Sequence, residues 1–506
     1  MNRGVIPHYG PRHWPHYGLL TLVALVVMLP SFLYGPGATH SVSFNYIWTS
    51  QFGAAMQQGD LYPRWLPDSF EGLGSPAFFF YPPLAYWLTG GLDALGLSTL
   101  QAINMGAFLL LAASGIAMHL WLTHRGTHPL VGSLIYMLLP YHQLDFWVRG
   151  ALAEFAAFVW IPLIALAIDR LPHRRGVLLL ALSYAGLLIT HLPTAMLAGF
   201  FLITPLVAVR AWPDRAILLS AASAGALAIA LAGFYLVPAL TLQDAISSQM
   251  LWTPGYQPAA WTIWTLSPGL MPCIALALAI LAWPTRSVWA VIVVAGGMAA
   301  LNLIFFLWDI PPLGRAQFPW RLLGIVEFAA VTALMTYYPS IVRAGIAAAL
   351  LIPPYIYVTG VAIANMDRPV DYAKMARQMP DAAEYLPVGF DRALIGEGRI
   401  ANLSQYRDLP KGPEIEVKQA GSVSLHRAAF PIWRVTRDGR EVPSTGPVIT
   451  FAAQPGLYRV ERVMIWQEAA GALCTLAAAL LALLAGLGRL PGLPARRRHP
   501  LTPATA

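Results

Sequence analysis

The chain has 506 residues, of which 57% are apolar or aromatic and only 11% charged; soluble domains carry about 25% charged residues, so an ordinary soluble protein is excluded. A formal net charge of +8 invites a nucleic-acid reading, but the basic residues cap apolar runs instead of forming a patch, so no nucleic acid is expected as a partner. The two cysteines, Cys273 and Cys474, both lie in apolar runs, which excludes a disulfide framework and a cysteine metal cluster.

The first apolar run, from Leu19 to Leu33, follows Arg3 and Arg12, lacks an A-x-A-like cleavage site and is followed by more runs. It reads as an uncleaved anchor. Next comes "SVSFNYIWTSQFGAAMQQG", where Phe44, Ile47, Trp48 and Phe52 recur at helical spacing among polar residues. Such a helix either lies flat on a membrane or packs within a loop. The stretch "LYPRWLPDSFEGLGSPAFFFYPP" (61–83) is irregular, polar and aromatic. It cannot cross hydrocarbon, where backbone groups must pair internally. The aromatics Trp65, Phe78, Phe79, Phe80 and Tyr81 within it, with Tyr86 and Trp87 just after, suit an interfacial belt or stacking on sugars.

Hydropathy leaves Phe78–Leu95 ambiguous, and charge decides it. Read as a short helix at the outer interface, it leaves twelve predicted spans: near 18–34, 101–122, 128–146, 153–169, 177–191, 195–209, 216–241, 266–283, 288–307, 322–336, 344–363 and 465–487. The termini and loops on one side then hold fourteen basic residues, Arg125, Arg170, Arg174, Arg175, Arg210 and Arg286 among them. Opposite them lie four in short loops: Arg64, Arg149, Arg315 and Arg321. By the positive-inside rule the first side, with both termini, is cytoplasmic.

Segment 364–463 differs in texture. Its first half reads as short helix plus loop; from Glu414 the pattern alternates, with Asp438-Gly439 between two alternating runs. That pair tolerates positive φ and predicts a two-residue hairpin turn in a small antiparallel β-sandwich. The predicted domains are 1–363, membrane-embedded with an interfacial first outer loop (35–100); 364–463, outside the membrane; and 464–506, a last span with a basic tail.

The odd polar motifs all fall on the outer side: 61–83, "PYHQLDFWVRGALAEF" (140–155), "THLPT" (190–194), 242–261 and "WDIPPLGRAQFPWR" (308–321). Guanidinium is planar, permanently charged and suited to phosphate, so Arg64, Arg149, Arg315 and Arg321 are candidates to hold a lipid phosphate, with Gln317, Tyr81 and His191 beside them. The alternative is that each Arg snorkels or pairs with a neighbouring acid. Asp68, Glu71, Asp145, Glu154 and Asp309 are the outer carboxylates, and one within hydrogen-bond reach of a hydroxyl would serve as a general base. Glu154 near a helix start and Asp145 beside Arg149 also have purely structural explanations. Glu327, the one acid well inside a mid-chain span, is either functional or bonded to a neighbouring helix. His191 ends a span before Pro193, which suits a hydrogen-bonded helix-end residue better than a catalytic one.

Taken together, "LYPRWLPDSFEGLGSPAFFFYPPLAYWL", "PYHQLDFWVRGALAEFAAFVWIPL", "THLPT", "GFYLVPAL", "QFPWRLL" and "AEYLP" resemble bacterial membrane proteins labelled 6-pyruvoyl-tetrahydropterin synthase-related. These are similar to YfhO-like proteins and, more distantly, to the GT-C glycosyltransferases; nothing in the chain suggests pterin chemistry. The resemblance implies a polytopic α-helical GT-C-like fold of about 12 transmembrane helices in a bacterial inner membrane, with a small periplasmic α/β-sandwich domain before the last helix. It implies a membrane glycosyltransferase taking a sugar from a polyprenyl-phosphate donor to an envelope glycan or lipid acceptor at the periplasmic face. Asp145 and Glu154 match the acid of the second outer loop. The acid after the first span does not match: where relatives commonly read His-Asp, this chain has His40-Ser41. Asp68 or Glu71 then substitutes, or the chain is a non-catalytic component that translocates or scaffolds lipid-linked saccharide. The resemblance makes no cofactor certain and leaves room for a divalent metal, for which no ligand set is visible.

Overall fold

A computed structural model describes residues 13–212, 214–249, 254–262, 270–390, 395–396, 399–400 and 403–487. The basic residues Arg3, Arg12, Arg489 and Arg496–Arg498, the start of the predicted 266–283 span and part of 242–261 lie outside these residues. Among the described residues, seven helices are long and apolar enough to cross a membrane, or eight if one bent pair counts as a single span. They are Trp14–Tyr34, Thr99–Arg125, Leu152–Asp169, Leu192–Ala211, Pro319–Thr336, Ile341–Asp367 and Trp466–Gly486, with Arg215–Leu231 plus Gly233–Thr241 as the bent pair. The other predicted spans hold shorter helices, including Pro129–Leu138, Arg174–Leu188, Leu270–Ala282 and Val288–Ala300.

Helix Thr99–Arg125 sets the axis. Ser98 and Gln101 form a reciprocal capping box at its start, and Gly126, with φ 67°, closes its end. Its 27 residues span about 40 Å, so its two ends mark two faces of the bundle. Thr99 binds Asp93 of the first loop (2.7 Å). Arg125, at the other end, binds Asp169 (3.1 Å).

The first loop is packed rather than draped. Helix Val42–Gln57 lies against helix Leu84–Ala94, and Ile47, Trp48 and Phe52 are buried. The two helices approach closely because Gly90 has no side chain: a Cβ there would sit 2.4 Å from Phe52 Cβ. Helix Leu84–Ala94 has eleven residues, about 16 Å, and is not among the helices long and apolar enough to cross a membrane. Between them residues 61–76 turn through positive φ at Phe70, Glu71, Gly72 and Gly74, pinned by the Leu66–Ser75 bridge.

Helix breaks do more shaping than hydropathy reveals. Pro140 ends Pro129–Leu138 and starts Pro140–Trp147 at a new angle, as its ring and missing N–H demand. The bent pair turns by 74° at Ala232–Gly233. There the Phe234 N–H, lost from the helical ladder, donates to Thr475 Oγ1 of the last helix (2.8 Å).

Beyond a two-stranded ribbon of Ile395–Gly396 and Arg399–Ile400, the C-terminal domain pairs two larger antiparallel sheets: Glu414–Val417, Gly456–Arg462, Trp433–Arg437 and Arg440–Val442 in one; Gly421–Ala428, Val448–Ala453 and Ser444–Thr445 in the other. Asp438 (φ 51°) and Gly439 (φ 74°) make the expected two-residue hairpin turn, with Arg437 opposite Arg440. Ile415, Val435 and Val460 from one sheet pack on Leu425, Ile449 and Phe451 from the other, giving a sandwich core. This domain rests on the first loop: the Ala428 N–H donates to Leu73 O (2.8 Å), and Trp65 meets Trp433 edge-on.

Candidate functional site

Pro140–Trp147 is a short helix inside the protein with no side-chain cap of its own. Its cap comes from 186 residues away. The Glu327 carboxylate accepts the Tyr141 N–H (2.8 Å) and the His142 N–H (3.1 Å), two donors the helix start leaves open. The acid buried in a span is therefore bonded to a neighbouring helix and fixes the element that carries Asp145. Gly150, at φ 62°, then reverses the chain, so that Arg149, in the turn after Pro140–Trp147, faces Glu154 on helix Leu152–Ala157.

Five groups meet there. Glu154 Oε2 accepts from Arg149 Nη1 (2.9 Å) and Arg321 Nε (3.1 Å), while Glu154 Oε1 accepts from Tyr141 Oη (2.6 Å). Arg149 also pairs with Asp145, whose second oxygen, Oδ2, is buried without a partner. Arg321 reaches back to Ala316 O (2.8 Å) and Gln317 Oε1 (3.2 Å) and lies over the Phe318 ring (4.8 Å). Asp145 is 0% and Glu154 3% exposed, and the two guanidinium side chains 13% and 10%. Two cations and two anions in so dry a place lose several kcal/mol of hydration each, roughly, and a buried ion pair is weak grounds for stability alone.

Tyr81 and His191 stand beside the cluster, since Arg321, Glu154 and Arg149 all act on both electrostatically. Burial pushes the Tyr81 hydroxyl up to about 12. His191 starts helix Leu192–Ala198 and bonds Thr194 Oγ1 through Nδ1 (2.8 Å), the helix-end role expected of it. The backbone at His40-Ser41 packs beside that of Arg149: the Ser41 N–H donates to Arg149 O (3.0 Å).

Other candidates go elsewhere. Arg64 pairs with Glu468 of the last helix (3.4 Å), donates to Phe234 O (2.9 Å) and stacks on Tyr62, which makes it a tie between first loop and last helix. Glu71 forms a two-bond pair with Arg407 (2.9 and 3.2 Å) and so joins the first loop to the C-terminal domain. Asp68, Asp309 and Arg315 are exposed. The aromatics expected as a membrane belt form a packed roof: Phe78 and Phe79 are fully buried, and Trp48 lies 4.6 Å from Tyr81.

Two residues escaped sequence reasoning. Tyr141 contacts Glu154 and Arg149 at once, and only its place in "PYHQLDF" hinted at it. Glu384, in "AEYLP", is half-buried on a short turn whose Tyr385 stacks on Phe80. Burial and Asp381 nearby raise its carboxyl to about 7, and it acts electrostatically on Tyr81, which links it to the cluster.

Residues 78–250 match the family described as "6-pyruvoyl-tetrahydropterin synthase related domain; membrane protein". The match takes in the motifs that carry the resemblance through Asp145, Arg149, Glu154 and His191. Two solved structures of the mycobacterial arabinofuranosyltransferase AftD are similar to this chain. The first has 16% identity and a TM-score of 0.47, covering 73% of this chain and 28% of that one. The second, the R1389S mutant, has 16% identity and a TM-score of 0.44, covering 74% and 30%. The chain thus spans less than a third of the length of those structures. No curated protein matches.

Proposed function

We propose that this chain is a GT-C-type membrane glycosyltransferase that moves a sugar from a polyprenyl-phosphate donor to an envelope glycan or lipid acceptor on the periplasmic side of a bacterial inner membrane. Twelve spans with both termini in the cytoplasm complete this reading. One observation carries it: guanidinium groups from two distant elements converge on a single buried carboxylate beneath the aromatic roof. All three lie at the end of the bundle that bears the first loop and the C-terminal domain.

In this reading Arg149 and Arg321 receive the donor phosphate, exchanging part of their hold on Glu154 for its oxygens. Glu154, or Asp145 through its unpartnered oxygen, accepts the proton of the attacking hydroxyl. Gln317 and Tyr141 orient Arg321 and Glu154, while Tyr81 and His191 line the approach. Arg64 and Glu71 hold the roof in register with the last helix and the C-terminal domain; Asp68 and Arg315 stand at the outer surface. The closed cluster means that the roof, Phe78–Tyr81, moves to admit a lipid. A divalent metal has no acidic ligand set at this end among the described residues.

A second reading, a non-catalytic component that translocates or scaffolds lipid-linked saccharide, is favoured by Ser41 occupying the acid's place beside Arg149. Lipid and glycan profiling of a deletion strain separates the two. Accumulated polyprenyl-phosphate sugar with one undecorated envelope polymer, restored by the wild-type chain and not by Glu154→Gln, supports the enzyme. Restoration by Glu154→Gln supports the scaffold.

A further inference from the structure

At the opposite end of the bundle, far from the cluster, three histidines meet. His13 precedes helix Trp14–Tyr34 and His16 lies in its first turn; His119 comes from helix Thr99–Arg125. The three rings surround one point, with centroids 5.2, 5.2 and 5.8 Å apart and planes inclined by 62–73°. One nitrogen of each lies within 4.8 Å of the other two.

Hydrogen bonding alone accounts for this poorly. His16 Nδ1 and His119 Nε2 are 3.0 Å apart and share one proton. His119 Nδ1 lies 3.4 Å from Thr123 Oγ1, one turn on, which holds the ring so that Nε2 faces the other two histidines. Metal-bound histidines are oriented in this way by a partner on the far nitrogen. His13 Nδ1 is buried with no partner at all. A buried polar atom left unpaired calls for an explanation, and an ion is one. Neutral imidazoles are ligands of choice for zinc-class ions. Zinc–nitrogen bonds of about 2.1 Å place tetrahedral ligand nitrogens about 3.4 Å apart, so small ring rotations from the present positions suffice.

We propose that His13, His16 and His119 form a transition-metal site, with Zn2+ as the fitting ion. Three protein ligands leave a fourth position for water or another donor. The ion would staple the start of the first span to helix Thr99–Arg125. His119 lies 20 positions, about 30 Å of helix, from Thr99 at the first-loop end, so this site is at the other end of the bundle from the carboxylate cluster and independent of the proposed sugar chemistry.

The test uses the full chain in detergent without a histidine tag, stripped with chelator and then dialysed against Zn2+ alone. We expect about one Zn2+ per chain, a Zn2+-dependent rise in thermal stability, and the intense visible band of tetrahedral cobalt when Co2+ is substituted. His16→Ala and His119→Ala should each weaken binding at least tenfold and remove the stability rise. His13→Ala, at the helix start, guards against misfolding as the cause of loss and should weaken binding while leaving chelator-treated stability unchanged. Binding that is absent in the wild type, or equal in the wild type and all three variants, would overturn the site.

Discussion

Two ion clusters mark the two ends of the bundle, built from the same residue types in opposite circumstances. At the roof end, Glu154 lies between Arg149 and Arg321 with side chains no more than 13% exposed. At the other end, Asp169 lies between Arg125 (3.1 Å) and Arg210 (3.0 Å), with His124 at 3.7 Å and the arginine side chains 35% and 32% exposed. Water screens the second set, and its geometry follows from helix ends meeting at a surface rich in basic residues. The first set is dry, draws on elements far apart in sequence, and sits under the packed aromatics of the first loop. Equal pair counts thus conceal unequal meaning: desolvated charges that a fold retains at a cost are the better guide to function.

The sharpest way to break this contrast is at Glu154. Glu154→Gln keeps shape and the Tyr141 contact but removes the charge that both guanidinium groups share. Sugar transfer should fall at least about a hundredfold, the scale of losing a general base, in membranes supplied with polyprenyl-phosphate sugar. Thermal stability should drop too, because two buried cations lose their shared counter-ion. Transfer at the wild-type rate would remove Glu154 from the chemistry.

Glu327 comes next, and it separates support from chemistry. Glu327→Ala leaves the Tyr141 and His142 N–H groups without acceptors, each worth about 1–3 kcal/mol when buried. We expect a lowered unfolding temperature, with Glu327→Gln in between because its amide oxygen still accepts. A variant that loses activity with unchanged stability would assign Glu327 a direct role instead.

The legibility of these features follows from their range. Arg149, Asp145 and Glu154 lie within ten residues of sequence, and Arg321 joined them because its charge broke the sidedness of the loops. The hairpin at Asp438-Gly439 was legible for the same local reason. The capping role of Glu327, the bend at Gly233 and the third histidine at 119 depend on partners 100 or more residues away. No periodicity carries that. The aromatics of the first loop misled because belt and roof residues look alike until packing is known; Phe79 is fully buried against Phe430 of the C-terminal domain. Arg64 and Glu71, expected near substrate, instead tie the roof down.

Glu384 sharpens the comparison at an intermediate scale, as a carboxyl near the roof that is desolvated without a cation beside it. Its folded value of about 7 lies above the ordinary 4.5. The folded chain therefore holds a proton that the unfolded chain loses between these values. Its contribution to stability is full below pH 4.5, declines as pH rises, and levels off above about 7. Glu384→Gln should match the wild type near pH 4.5 and be more stable by roughly 2 kcal/mol at pH 8, from a shift of this size at about 1.4 kcal/mol per unit with allowance for partial exposure. Thermal unfolding across that range reads the difference; parallel curves would mean that the carboxyl ionises as if in water.

The smallest expected effect completes the contrast. Asp169→Asn at the other end removes the charge that Arg125 and Arg210 share, the same formal change as Glu154→Gln. Both arginines are about a third exposed and rehydrate, and Arg210 keeps its bonds to Asp169 O (3.1 Å) and Leu171 O (3.2 Å). Exposed pairs contribute about 0–1 kcal/mol each, so unfolding temperature should fall slightly, and less at high salt, where these pairs are already screened. Sugar transfer should be unchanged, since Asp169 ends the span in which Glu154 lies near the start, about 22 Å of helix away. A loss comparable to that of Glu154→Gln would show that burial does not distinguish the two clusters, and that charge at either end sets the same property of the fold.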